Sequence, residues 1–159
     1  MEFALVLPLV MILLMGIIDF GFGLSNLNSM RHGTRESVRR AVVADVGSDS
    51  VCVIAGGGPG GATQSLVCQT KNKTGLDESR LRVKIVLDTS HDEGEGLILC
   101  TQHELESITG LFSSLLNGKS VHTEVHMRVE KVDVDGAAVS ISAFTEDPPT
   151  GGTWTWCNA

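Results

Sequence analysis

The chain has 159 residues, which leaves room for one ordinary globular domain beside a short apolar segment. Its formal net charge is −7 at pH 7, and this acidic balance argues against a nucleic-acid-binding protein. Aromatic residues make up 4% of the chain and tyrosine is absent, which argues against a surface that stacks sugars or bases.

The chain opens with an apolar stretch. From Phe3 to Ile18 no side chain is charged, Glu2 stands directly in front, and a further apolar run extends from Asp19 to Leu24. A helix of about 20 apolar residues is long enough to cross a bilayer. The sequence therefore predicts a membrane or filament-core segment at 1–24, followed by a more polar body.

Three interpretations of this stretch compete. A cleavable secretory signal normally begins with positive charge, whereas this stretch begins with Glu2. A simple membrane anchor is the second, but the arginines from Arg31 to Arg40 follow the span, so the positive-inside rule would leave the body in the cytoplasm. The third is a pilin-type helix, which lies in the membrane before assembly and in a filament core afterwards.

Two motifs resemble those of a known family. The run Glu2-Phe3-Ala4-Leu5-Val6-Leu7-Pro8, followed by Gly16-Ile17-Ile18-Asp19-Phe20-Gly21, closely resembles the opening of the TadE-like pilins, the pseudopilins of tight-adherence (Tad, type IVc) pili. The resemblance implies a bacterial subunit that is held in the cytoplasmic membrane, processed by a prepilin peptidase and passed to the pilus assembly machinery. It further implies polymerisation with other pilin subunits into an extracellular filament that contributes to adhesion.

Candidate assembly residues in this segment are Glu2, Phe3, Pro8 and Asp19. A carboxylate in an apolar helix needs a partner or a wet position. For Glu2 the partner suggested by a helical polymer is the N-terminal ammonium of a neighbouring subunit, which would fix the axial register; the alternative is a favourable interaction with the helix dipole. Pro8 is expected to kink or locally melt the helix, because it removes a backbone donor.

The first helix is predicted to continue beyond the apolar segment. Apolar residues at helical spacing extend it to about residue 46, where Gly47 and the serines after it predict its end. We therefore divide the chain into a helix at 1–46, whose half at 25–46 is amphipathic, and a globular extracellular domain at 47–159. The basic stripe Arg31, Arg35 and Arg39 is either a solvated helix face or a contact with acidic groups of a neighbouring subunit.

The four cysteines have no Cys-x-x-Cys spacing, which argues against a zinc ribbon or a thioredoxin-like site. An even number in an exported domain favours two disulfides. Three pairings are possible, and we expect Cys52–Cys68 beside the glycine-rich loop and Cys100–Cys157 between the sheet and the C-terminal tail. Reduced, buried cysteines are the alternative.

The body is predicted to be a small α+β domain. A glycine-rich run at 56–61 lacks the lysine of a phosphate-binding loop and predicts a surface loop. The remaining pattern predicts a short helix at 62–73, strands from about 80, 96 and 121, helical spacing from Leu105 to Leu116, a hairpin about Asp135-Gly136, and a tail clamped by Trp154 and Trp156. The long first helix should pack against this antiparallel sheet.

No catalytic motif is present, so we expect neither an enzyme nor a cofactor. The acidic turn at 88–96 does not match the spacing of an EF-hand. His122, Glu124 and His126 share one strand face, but a polar exposed face is favoured over a metal site. Two functions stay open: a structural pilin subunit, and a membrane-anchored monomeric module that binds or senses a ligand.

Overall fold

The computed structural model describes residues 2–48, 51–134, 136–149 and 152–158, with the backbone alone for residues 2–5, 134 and 137. A long helix is followed by a small sheet domain, which confirms the predicted α+β class. The elements, in chain order, are α1 (Glu2–Ala41), α2 (Gly61–Thr74), β1 (Leu81–Leu87), β2 (Gly96–Glu104), α3 (Ser113–Leu116), β3 (Ser120–Arg128), β4 (Asp133–Val134), β5 (Ala137–Ala138) and β6 (Phe144–Thr145).

The main sheet is antiparallel, with its strands in the order β3-β2-β1-β6. Ile85 of β1 lies opposite Leu99 of β2, and Leu99 lies opposite Val125 of β3. Strand β2 is buried along almost its whole length because both of its faces are covered. The predicted hairpin is present as the pair β4–β5, although Asp135 at its tip lies outside the described residues. Strand β6 was not predicted.

The core has a layer on each face of the sheet. On one face, the polar half of α1 and helix α2 pack against the strands and form the larger apolar cluster, which contains Val38, Val42, Leu66, Val67, Val83, Ile85, Leu97 and Leu99. On the other face, Ile98 and Cys100 pack against Cys157, Trp154 and Trp156 of the tail. The amphipathic half of the first helix thus supplies part of the domain's own core.

Helix α1 ends at Ala41, five residues before the predicted end near 46. Ala44 has a positive φ of 63°, its amide donates to Ala41 O, and the amide of Asp45 donates to Arg40 O. This is the hydrogen-bond pattern of a Schellman cap, in which glycine is the usual residue. The predicted end of the helix was too late because the prediction relied on Gly47, the next glycine in the chain, whereas Ala44 already adopts the left-handed conformation.

The predicted helical segment from Leu105 is also wrong over most of its length. Strand β2 continues to Glu104, residues 105–112 form a loop, and only the four residues of α3 are helical. The backbone amides of Ile108 and Thr109 donate to a side chain of α1 rather than to preceding carbonyls. Tertiary hydrogen bonds therefore replace the helix that the apolar spacing suggested.

The structure contains the two expected disulfides. Cys52 bonds to Cys68 and ties the segment before the glycine-rich loop to α2, while Cys100 bonds to Cys157 and ties the tail to β2. The Lys84 ammonium also donates to the carbonyl of Cys157 at 2.8 Å. The indole of Trp154 donates to the carbonyl of Glu146 at 3.0 Å, so the tail is clamped as predicted.

A fully buried ion pair joins α2 to the segment after β6. Lys71 Nζ lies 2.6 Å from Glu146 Oε1, and neither side chain is exposed to solvent. The carboxylate also accepts the amides of Ala55 and Val83, and the ammonium donates to the carbonyl of Glu78. Burial lowers the pKa of Lys71, and the hydrogen bond and charge of Glu146 act against that shift. The pair thus links four separate segments at a point that no sequence pattern indicated.

We expect the replacements Glu146→Gln and Lys71→Met each to lower the free energy of unfolding by about 3–5 kcal/mol, because each leaves a buried charge without its partner. The double variant should lose less than the sum of the single variants. Urea denaturation of the full chain in detergent micelles, followed by tryptophan fluorescence, measures these losses. Additive losses would show that the two charges do not stabilise each other.

Helices α1 and α2 approach each other closely at Gly33. A methyl group added there would lie 2.6 Å from the backbone nitrogen of Thr74. Thr34 and Ser37 beside it are fully buried and direct their hydroxyls to carbonyls one turn back on α1. Small residues on this face therefore allow the two helix backbones to touch.

We expect Gly33→Ala to destabilise the domain by about 1–3 kcal/mol, because the backbone at Thr74 must move to admit the methyl group. Gly21→Ala is the matched control: it also places alanine in α1, but a methyl group at Gly21 meets no atom within 4 Å. The control should be neutral or gain up to about 1 kcal/mol of helix propensity. Equal stabilities of the two variants in the same denaturation experiment would disprove the close contact.

Candidate functional site on the N-terminal helix

The first half of α1 exposes a large apolar surface. By length and composition, the helical segment Val6–Ala41 could cross a membrane. Its most apolar stretch of 18 residues has a mean hydropathy of 2.2, and only 6% of that stretch is buried. The exposed side chains include Leu9, Met11, Leu13, Ile17, Ile18, Phe20, Phe22 and Leu24. Monomeric soluble proteins seldom expose a continuous apolar surface of this size, so another apolar body must cover it.

The predicted assembly residues lie along this half of α1. Glu2 and Phe3 are in its first turn, where the structure describes the backbone alone. Pro8 lies inside the helix, and the helix is continuous from Glu2 through it. The expected local melting at Pro8 therefore does not occur. The roles of Glu2, Phe3 and Pro8 in assembly stay predictions.

Asp19 is buried, with a relative exposure of 4%, although its neighbours along α1 are exposed. Its Oδ2 accepts hydrogen bonds from the hydroxyls of Ser107 and Thr109, both at 2.7 Å. Its Oδ1 accepts the backbone amides of Ile108 and Thr109, both at 3.1 Å. The partner that a carboxylate in an apolar helix requires is thus supplied by the chain's own domain.

The residues that bind Asp19 begin a segment without charged side chains. This neutral segment, defined as residues 107–117, contains the loop before α3, α3 itself and Asn117. Phe112 packs against α1 at Gly16, where an added methyl group would lie 3.5 Å from the phenyl ring. An open apolar groove between Phe112 and the helix is lined by Pro8, Leu9, Ile12 and Leu13. The domain therefore contacts α1 as far down as Gly16.

The sequence patterns did not identify Ser107 and Thr109 as partners of Asp19. They lie 88 and 90 residues from Asp19, and no local spacing connects them with it. The signal that was available is the carboxylate itself, because an acid within an apolar helix implies a polar partner elsewhere in the fold. The absence of charge from Ser107 to Asn117 is the second signal.

Polar side chains line one face of β3. Among the described residues of the chain, no group of three or more His, Cys, Asp or Glu side chains is placed to hold a metal ion. His126 Nε2 lies 2.8 Å from Glu124 Oε1. The ring of His122 stacks on Trp156 with a centroid distance of 4.5 Å. These contacts support the interpretation of this strand face as an exposed polar surface.

The basic stripe lies on the exposed face of α1. Arg31, Arg35 and Arg39 are all exposed, while Arg40, outside the stripe, forms an i,i+4 ion pair with Glu36 at 2.9 Å. The exposure agrees with a solvated helix face and equally leaves the stripe open to a neighbouring subunit. Both interpretations therefore remain.

We expect Asp19→Ala to release the neutral segment from α1, because it removes four hydrogen-bond acceptor contacts at once. The amides of Ile108 and Thr109 should then exchange with deuterium much faster, while amides in α2 keep their rates. Asp19→Asn retains one side-chain oxygen and should give intermediate rates. Hydrogen exchange of the full chain in lipid nanodiscs measures this, and unchanged rates in Asp19→Ala would contradict the hydrogen bonds between Asp19 and the neutral segment.

The model of the family described as TadE-like protein matches residues 1–39, which is the greater part of α1. No curated protein and no solved structure matches the chain. The family match and the apolar helix fit a membrane-associated, pilus-related protein. The resemblance to the TadE-like family is therefore confirmed, and it is carried by the N-terminal helix of the chain.

Proposed function

We propose that this protein is a structural pilin subunit of an extracellular Tad-like type IV pilus, which polymerises through the apolar half of α1. The observation that supports this proposal most directly is the exposed apolar surface between Val6 and Leu24. Such a surface is stable in a bilayer, and it is equally stable when several copies of the helix enclose one another. The family match at residues 1–39 points to the same use of the helix.

The two halves of α1 have different tasks in this function. The apolar half inserts into the cytoplasmic membrane of a bacterial cell and later into the filament core. The amphipathic half stays in the domain, since Val38, Ala41 and Val42 belong to the domain's main apolar cluster. A subunit that moves from lipid to filament therefore keeps its domain folded, because the domain's contacts with α1 do not change.

Glu2 is the residue that we assign to subunit register. A carboxylate at the start of an apolar helix is costly in a filament core unless a cation neutralises it. The cation in this proposal is the N-terminal ammonium of a neighbouring subunit. Phe3 and Pro8 belong to the same stretch and would shape the packing of helices around that ion pair.

The partners follow from this pathway. They are other pilin subunits, identical or related, together with the prepilin peptidase and the pilus assembly machinery. In the filament the sheet domain faces the medium, where its two disulfides suit an oxidising environment and its surface is available for adhesion. A structural subunit of this kind requires no catalytic step and no cofactor.

We expect Glu2→Ala to reduce incorporation into filaments by more than about tenfold, because loss of one buried intersubunit charge pair costs several kcal/mol. Membrane insertion should be unchanged, because the apolar span is intact. The amount of subunit in sheared filaments and the amount in carbonate-washed membranes are the two measurements. Glu36→Ala is the matched control, since it also removes an acid from α1 but at a partly exposed position in the domain half.

The same experiment tests the other function, a membrane-anchored monomeric module. A monomeric anchor would insert normally with or without Glu2, and no filament would contain the protein. Wild-type protein that remains wholly in the membrane while the pilus assembles, or filaments with normal amounts of Glu2→Ala, would refute the pilin proposal. Electron microscopy of labelled filaments distinguishes these two results.

A further inference from the structure

We propose that the neutral segment is a second membrane-contacting element, which lies in the outer interfacial layer of the bilayer beside α1 before the subunit joins a filament. The inference rests on the membrane-resident stage of the proposed function and goes beyond it. It identifies a part of the globular domain, far from α1 in sequence, as a lipid-binding surface. The occupant of that surface is the lipid bilayer itself.

The composition and exposure of the segment suit lipid contact. From Ser107 to Asn117 no side chain carries a charge. Ile108, Leu111 and Leu115 are 56%, 48% and 67% exposed. Exposed large apolar side chains that cluster in an uncharged segment are typical of a surface that meets an apolar partner.

The length of α1 places this segment at the membrane. Phe112 contacts the helix at Gly16, and the part of α1 on the N-terminal side of this contact runs from Glu2 to Gly16. This part spans only about 22 Å at 1.5 Å per residue, whereas the hydrocarbon core of a bilayer is about 30 Å thick. The whole apolar run, Glu2 to Leu24, spans about 34 Å and matches that thickness. The apolar run therefore fits a bilayer only when the helix is immersed past the point where the neutral segment is attached.

The exposed face of α1 supports this depth independently. Phe20, Phe22 and Leu24 are 68%, 49% and 61% exposed, although they lie further along the helix than Asp19, to which the neutral segment is bonded. If lipid covers these three side chains, it also surrounds the neutral segment, which is attached at Asp19 and Gly16, about 7 and 12 Å deeper than Leu24 along the helix axis. This depth is near that reached by interfacial apolar elements.

The hydrogen bonds of Asp19 make immersion possible. An exposed carboxylate at this depth would be costly, but both oxygens of Asp19 are occupied by donors from Ser107, Ile108 and Thr109. The same bonds satisfy two backbone amides of the segment, which lipid could not do. Each of the two, the neutral segment and Asp19, thus satisfies polar groups of the other that would otherwise face lipid.

A neighbouring subunit is the competing occupant of the surface formed by the neutral segment. Lipid is favoured because this surface is continuous with the exposed apolar surface of α1. The groove beneath Phe112 is lined by Leu9, Ile12 and Leu13, and all three also belong to the exposed apolar surface of α1. Lipid that covers the helix therefore continues onto Phe112 without an interruption by charged groups. A protein partner would have to match both surfaces at their junction.

The test is methyl NMR of the full, unaltered chain in phosphatidylcholine–phosphatidylglycerol nanodiscs. One sample contains a lipid with a nitroxide near the headgroup end of its acyl chain, and a second contains a water-soluble gadolinium chelate. The methyl groups of Ile108, Leu111 and Leu115 should lose as much intensity to the nitroxide as those of Leu24, and should be protected from gadolinium. Val43, which is 38% exposed beyond the other end of α1, is the matched control and should show the reverse.

Relaxation of the three methyl groups by gadolinium but not by the nitroxide, with Leu24 still relaxed by the nitroxide, would overturn the inference and leave the membrane-resident stage intact. Loss of the nitroxide effect at Leu24 as well would overturn both. Contacts of these methyl groups with a second subunit in filaments, without any nitroxide effect in nanodiscs, would assign the surface to subunit packing and also overturn the lipid proposal.

Discussion

The four hydrogen bonds to the carboxylate of Asp19 fix where the globular domain meets the apolar helix. A charged group in the middle of an exposed apolar surface has few stable arrangements, and here the domain covers all but 4% of Asp19. The donors come from a loop beyond β2, so these bonds attach the domain to the apolar half of α1, while Val38, Val42 and the close contact at Gly33 hold the amphipathic half.

The two halves of α1 have different surroundings in this structure. Its amphipathic half is part of the core, through Met30, Val38 and the close contact at Gly33, while its apolar half has almost no cover. The buried pair Lys71–Glu146 and the two disulfides hold the remaining segments together without using the apolar half of α1. Most of the domain's stabilising contacts therefore lie away from the apolar half of α1.

Local patterns succeeded where the structure is repetitive. The alternation from Leu81 to Leu87 and along β3 predicted strands, and Gly61–Thr74 agrees with the predicted second helix to within one residue at each end. They failed at the end of α1, where Ala44 adopts a glycine-like conformation, and at Leu105–Leu116, where apolar spacing suggested a helix. In both places the backbone is held by partners that are distant or atypical, which periodicity does not detect.

The sequence by itself determined that one end of this protein is apolar, that the first helix is long, and that the resemblance to TadE-like proteins lies in that helix. These properties depend on neighbouring residues and are therefore visible in their order. Only the tertiary structure decided that Asp19 is satisfied within its own chain and that Ser107 and Thr109 are the residues that satisfy it. Contacts between residues almost ninety positions apart depend on how the sheet folds back onto the helix, and no local pattern records that path.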